Sequence, residues 1–266
     1  LPKERIFEEF KKCLLDSKSP SIAFNYLEPL GLLSSFPELE QLKGCEQDPE
    51  WHPEGDVWMH TMLVLDQMAF LIKDLDSFHL EFMYAALCHD FGKPSTTIFK
   101  DGRWRSPNHE KAGVEPTKMF LSKLTDSKSF INSILPLIEH HLKPALLYNA
   151  DIKDGVTDSA IRRLSTKVSI EKLLVVARAD HFGRLTPDAI NREFLAGDWL
   201  YKRAHELEVQ SSKPQCYLSG KDLIEMGFSP GSKIGIILKD VYNQQLDGRL
   251  KSYNDSILYV QENYKK

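Results

Sequence analysis

Apolar residues recur at three- and four-residue steps through nearly every long segment of this chain, and that period fixes the fold class. Ile6, Phe10, Cys13 and Leu14 share one helical face, Val57, Val64, Leu65 and Met68 a second, and Leu173, Leu174 and Ala177 a third. The expected fold is all-α: a helical bundle with a small β-hairpin and a C-terminal helical extension. The hairpin is expected in TTIFKDGRWRS, where Asp101-Gly102 supplies turn residues that accept positive φ between two short alternating runs. SSKPQC reads as a linker. Beyond it, SGKDLIEMGFSPGSKIGIILKDVYNQQLDGRL reads as two short helices, the second capped by Ser229 with Pro230 in its first turn.

Composition narrows the function. With 42% hydrophobic and 27% charged residues, no apolar run approaches the roughly 20 residues that cross a bilayer, so no membrane partner is expected. Cys13, Cys45, Cys88 and Cys216 are scattered, with no Cys-x-x-Cys pair. That spacing argues against a disulfide framework and against a thiolate zinc site, and a cytoplasmic location is expected. The formal net charge of -4 lacks the basic excess of a dedicated nucleic-acid binder, which leaves only a local patch for a phosphate backbone.

The histidines carry the chemistry. His60 lies three residues after Val57 and four before Val64, which turns it inward. His89 follows Phe82, Ala85 and Ala86 at the same spacing, Asp90 is expected in the last turn of that helix, and Gly92 is expected to terminate it. His109 comes from NHEKAG, His140 and His141 from LIEHHLKP, and Asp180 shares a face with Leu173 and Ala177. One histidine on an apolar face is ordinarily a packed core residue, but an ordered series of histidines and carboxylates is not. Neutral imidazoles with carboxylates suit one or two divalent ions (zinc, manganese, iron, nickel or magnesium), and a carboxylate can bridge a pair. Such an ion lowers the pKa of water from 15.7 to about 7 and so makes a nucleophile. Adjacent helical residues point about 100° apart, so His140 is expected as the ligand and His141 as its support or as a phosphate contact. Lys93, Arg184, Arg103 and Arg105 are the candidate substrate contacts, and Lys93, meeting a phosphate as a point charge, is also expected among the catalytic residues with Asp90 and Asp180. Trp104 is expected to pack on its own hairpin.

The ordered set His60, His89-Asp90, His109, His140-His141, Asp180 resembles the HD superfamily of metal-dependent phosphohydrolases. The resemblance implies that His60, His89, Asp90 and Asp180 hold one metal, that His109 and His140 hold a second with Asp90 bridging, and that Asp90 and Asp180 are central to catalysis. HPEGDVWMHTMLVLD, CHDFGKPSTT, DGRWRSPNHEKAG and LSGKDLIEMGFSPGSKIGIIL are further similar to the HD-containing C-terminal region of bacterial tRNA nucleotidyltransferases, the CCA-adding enzymes. The opening RIFEEFKKCLL is similar to the helices that follow their catalytic head. This divides the chain into neck-like helices (1–50), an HD phosphohydrolase domain (51–190) and a helical extension (191–266). No glycine-serine loop with paired aspartates occurs, so the chain alone is not expected to add nucleotides. The resemblance implies a phosphodiesterase, phosphatase or nucleotidase whose substrate is a nucleotide or an RNA 2′,3′-cyclic end. The alternatives are a tRNA-binding module, or partner of a separate nucleotidyltransferase head, and a signalling hydrolase of cyclic nucleotides.

Overall fold

The computed structural model describes residues 2–265, which form a succession of α-helices and one hairpin. In chain order the first elements are α1 (Lys3–Leu15), α2 (Ser21–Asn25), α3 (Pro37–Glu40), α4 (Val57–Leu71), α5 (His79–Cys88) and α6 (Lys93–Thr96). The hairpin strands β1 (Ile98–Lys100) and β2 (Arg103–Arg105) follow, then α7 (His109–Ala112), α8 (Val114–Leu124), α9 (Lys128–His140), α10 (Lys143–Asp154), α11 (Asp158–Ser165) and α12 (Ile170–Phe182). The last are α13 (Pro187–Ile190), α14 (Leu195–Glu206), α15 (Gly220–Glu225), α16 (Ser232–Leu246) and α17 (Tyr253–Asn263). The all-α expectation holds, and no helix among the described residues is long and apolar enough to cross a membrane.

Contacts group the residues up to Asn149 with Glu171–Leu200 in one compact unit, and Ala150–Ile170 with the residues from Tyr201 onward in another. In the first, α5 is the central helix. Every residue from Met83 to Cys88 is fully buried, because α1, α4 and α9 pack around it. A helix that is apolar on all sides can exist only in such a place. Burial of a side chain the size of Met83 or Leu87 contributes about 1.5–3 kcal/mol each. The helix ends at the cap residue His89, and Asp90 lies just past it rather than in its last turn. Asp56 caps α4 by accepting from Met59 N at 2.9 Å, which sets His60 one turn into that helix.

The hairpin forms as its sequence demands. Asp101 (φ 54°) and Gly102 (φ 74°) make the turn, and Phe99 pairs with Trp104 across the ladder, their rings 5.0 Å apart. In the second unit Leu218, Leu223, Phe228, Ile237, Val241, Leu250 and Val260 form the core. Here one expectation fails: α16 begins at Ser232, not at Ser229-Pro230, and runs for 15 residues. Phe228 is drawn into the core, so the chain turns through Gly231 (φ 157°) before the helix can start.

Gly92 is a second correction. Its φ of -84° is that of an ordinary right-handed residue, so it is no left-handed helix stop. A Cβ there would lie 2.0 Å from His109 O and 2.5 Å from Gly113 N, so the absent side chain lets α7 lie directly on the chain after α5. Gly183 does the same between α12 and α4, where a Cβ would meet Val64 Cγ2 at 2.4 Å.

Candidate metal centre

Three helix ends deliver imidazoles by one local device. His89, His109 and His141 each turn Nδ1 back to the carbonyl three residues earlier, Ala86 O at 2.8 Å, Ser106 O at 2.8 Å and Ile138 O at 2.7 Å. A carbonyl oxygen can only accept, so each Nδ1 carries a proton, and in the neutral ring Nε2 is the lone pair that can meet a metal. The same bonds satisfy backbone carbonyls that a helix end or turn leaves open. The Nε2 atoms of His89 and His109 lie against Asp90, and that of His141 lies against His109 Nε2.

The two carboxylate oxygens of Asp90 face opposite halves of the cluster. Oδ2 lies 3.1 Å from His89 Nε2 and 4.0 Å from His60 Nε2, while Asp180 Oδ1 sits 3.0 Å from His60 Nε2 and 3.9 Å from His89 Nε2. Oδ1 lies 3.2 Å from His109 Nε2, which in turn is 3.3 Å from His141 Nε2. Ligand-type atoms of His60, His89 and Asp90 fall within 4.8 Å of one another, as do those of Asp90, His109 and His141.

These atoms fit a cation and little else. Asp90 Oδ1 and His89 Nε2 are buried without a correctly directed hydrogen bond, Asp90 Oδ2 meets only the Lys93 ammonium as a donor, at 2.8 Å, and the His109 and His141 lone pairs face each other. Unsatisfied buried polar atoms cost about 1–3 kcal/mol each, and facing acceptors repel. A divalent ion removes both penalties, and imidazole with carboxylate is a donor set for first-row ions.

The environment polarises the acids strongly. Burial opposes ionisation of Asp90, but the charges of His89 and Lys93 hold its carboxyl well below the usual range. Burial likewise opposes ionisation of Asp180, and Arg184 and His60 hold it low. Burial disfavours the charged form of His89, whereas Asp90 favours it and raises its pKa. Burial pushes His52 and His141 down to about 3, helped by Lys93 and His109 respectively.

A pH dependence follows. The unfolded chain protonates His52 and His141 near 6.5 while the folded chain does so only near 3. Between those values the unfolded state binds more protons, so these two groups lose their stabilising contribution as pH falls. His89 acts with the opposite sign, its contribution being present at low pH and lost as pH rises through its raised pKa. With two imidazoles against one, and both carboxylates losing their contribution at still lower pH, the metal-free protein should lose on the order of a few kcal/mol from about pH 7 to pH 4. Urea unfolding across that range measures it, and a flat or inverted profile would contradict the neutral state assigned to His141.

The placement of the sequence-derived candidates is uneven. His60, His89, Asp90, His109, His141 and Asp180 come together. His140 does not: it is half-buried outside the cluster, and His141 takes the place expected for it. The reason is the buried face Ile134, Leu137, Ile138, which continues to 141 at helical spacing. Lys93 is buried between Asp90 Oδ2 at 2.8 Å and Gln47 Oε1 at 2.5 Å. Arg184 places a terminal nitrogen 3.7 Å from Asp180 Oδ1. Both line a cavity of about 460 Å³ over the cluster, with Trp104. Arg103 is instead engaged by Asp48 and Glu50, each at 2.6 Å, and Arg105 pairs loosely with Asp101 at 3.9 Å, outside that lining.

Sequence reasoning missed Glu54, His52 and Gln47. Glu54 Oε1 accepts from His60 Nδ1 at 2.8 Å and from His52 Nδ1 at 2.9 Å, and its other oxygen accepts from Leu185 N at 3.2 Å. A carboxylate behind an imidazole fixes the ring and raises its basicity. The signal available was Glu54 itself, an acid in the apolar-flanked HPEGD turn just before the His60 helix.

Residues 57–185 match the model of the HD domain, and residues 1–43 match the one described as a probable RNA and SrmB-binding site of polymerase A. Fold and site thus define an HD-domain enzyme: the HD domain is a metal-dependent hydrolase fold that binds divalent metals. Among curated proteins the chain is similar to the multifunctional CCA protein of Pasteurella multocida, 32% identical over 242 residues, which covers 86% of this chain and 52% of that protein. It is likewise similar to those of Actinobacillus pleuropneumoniae (strain L20), 32% identical with 79% and 51% covered, and Acinetobacter baylyi, 28% identical with 97% and 58% covered. The chain spans about half the length of these relatives. It has the character of the HD region of tRNA nucleotidyltransferase-like proteins.

Proposed function

We propose that this chain is a metal-dependent phosphodiesterase and phosphatase acting on nucleotides or on RNA ends, 2′,3′-cyclic phosphates among them. The observation that carries the reading is Asp90, whose two oxygens face His89 and His60 on one side and His109 on the other. His60, His89, Asp90 and Asp180 would hold one ion, and Asp90, His109 and His141 a second. When bound, the metal supplies Lewis acidity toward a phosphoryl oxygen and acidifies water to a pKa of about 7. Lys93 and Arg184 stand on the cavity wall to hold phosphoryl oxygens, and Glu54 keeps the His60 ring aimed. Asp180, carboxylate-charged at the cavity edge, orients the attacking water. The four imidazoles and two carboxylates favour manganese, iron, nickel or zinc over magnesium. The scattered free cysteines support a cytoplasmic location.

The test is elemental analysis of the purified protein, with hydrolysis of bis-p-nitrophenyl phosphate and of a 2′,3′-cyclic nucleotide after loading with manganese or nickel. One or two equivalents of metal with turnover are expected. Protein that takes up no metal and turns over neither compound would sink the reading. A second reading, a tRNA-binding module in which the HD site is secondary, is supported by the polymerase A match over residues 1–43. It predicts tRNA binding that weakens steeply with salt while hydrolysis is absent.

A further inference from the structure

Beside the metal cluster lies a second cavity of about 380 Å³, and Trp51 and Arg184 stand in the walls of both. Its volume falls within the roughly 300–1,000 Å³ of small-molecule sites. We propose that this cavity is a subsite for a single terminal nucleoside whose phosphoester lies at the metal cluster. The proposal rests on the phosphohydrolase reading and adds to it the part of the substrate that is recognised.

Shape and polarity argue for an uncharged ring. Tyr148, half-buried against Phe194 and with its ring 5.9 Å from that of Trp199, forms one wall. Trp51, 54% exposed, forms the rim shared with the cluster cavity. Aromatic faces flanking a cavity mouth suit a base, which every nucleotide presents as a flat π surface.

Charge argues for a terminal nucleoside. Arg184 is the single Lys or Arg in this lining, and it stands on the wall shared with the cluster, where a phosphate would lie. The remaining charged lining groups are the carboxylates Asp188 and Glu193. A polynucleotide continuing through the cavity would set its next phosphate against those acids, and like charges at short range repel. A nucleoside that ends there meets no such penalty. A carboxylate accepts hydrogen bonds and gives none, so Glu193 favours a base with an exocyclic amino group, adenine or cytosine, over uracil.

The experiment compares a substrate with a base against one without. In metal-loaded protein, Tyr148→Ala should raise KM for 2′,3′-cyclic AMP about tenfold, the scale of one lost stacking contact, while bis-p-nitrophenyl phosphate changes less than about twofold. Glu193→Gln, at an exposed position that does not threaten folding, should reduce the preference for 2′,3′-cyclic AMP over 2′,3′-cyclic UMP. Adenosine alone should quench tryptophan fluorescence of the wild type and do so more weakly with Tyr148→Ala, whether or not the protein turns over. Equal losses on both substrates, or none on either, with adenosine binding unchanged, would overturn the subsite. Wild-type protein that hydrolyses nothing yet binds adenosine through Tyr148 would overturn the hydrolase reading and leave the subsite standing.

Discussion

Asp90→Asn should take up about one equivalent of metal less than a wild type loaded with two, and Asp90→Ala should take up none. The two carboxylate oxygens face different halves of the cluster, Oδ2 toward His89 and His60, Oδ1 toward His109. An amide of the same shape offers one oxygen and one NH₂, so it can serve one half only. Alanine serves neither, and it strips the carboxylate from Lys93, whose ammonium is 2.8 Å away and almost fully buried. Removing one partner of a buried pair costs about 3–5 kcal/mol. Far-ultraviolet circular dichroism must therefore accompany the metal analysis of the alanine variant, and the asparagine variant carries the test if it unfolds. Loss of roughly 4 kcal/mol of transition-state stabilisation corresponds to about a thousandfold in turnover. Asparagine at position 90 with two equivalents and wild-type turnover would show that Asp90 bridges nothing.

How much of this was legible along the chain depends on whether the information is local. His60, His89 and Asp180 announce themselves because a helix repeats its inward face every three or four residues, and each lies on such a face. His141 was legible by the same rule, since Ile134, Leu137 and Ile138 point to it; reading the pair from the adjacent-residue angle alone selected His140 instead. Glu54, His52 and Gln47 sit in loops, where no period marks the inward direction, and their partners include residues far along the chain, 46 residues away for Gln47 and Lys93 and 131 for Glu54 and Leu185. The grouping of Ala150–Ile170 with the chain after Tyr201 is equally non-local: Arg163 reaches Asp247 at 2.8 Å across 84 residues. Helix starts fared worst where packing overrode capping preference, as at Ser229, which would begin a helix only if Phe228 did not have to enter the core.

Gly92 shows the same division within one residue, and it yields the second large effect. Its sequence setting, after an apolar helix and before Lys93-Pro94, is that of a helix stop, yet its backbone is right-handed and any residue could adopt it. What excludes a side chain is the His109 carbonyl 2.0 Å from where a Cβ would stand, with Gly113 N at 2.5 Å. Both are backbone atoms, so no rotamer change relieves the clash; α7 must move as a body. Overpacking of this kind costs about 1–3 kcal/mol, and rigid neighbours place Gly92→Ala at the upper end. The displacement carries His109 away from Asp90 Oδ1 and His141, while His60, His89 and Asp180, held on α4, at the end of α5 and on α12, keep their places. Gly92→Ala should therefore fold with a lowered denaturation midpoint and lose the His109 half of the centre selectively. The measurements are urea unfolding and metal stoichiometry, and Gly102→Ala is the control, since its φ of 74° strains a side chain but nothing lies within 4 Å of its Cβ position. Equal metal content in both variants, with equal unfolding midpoints, would mean that α7 yields without cost and that the contact at Gly92 does not position His109.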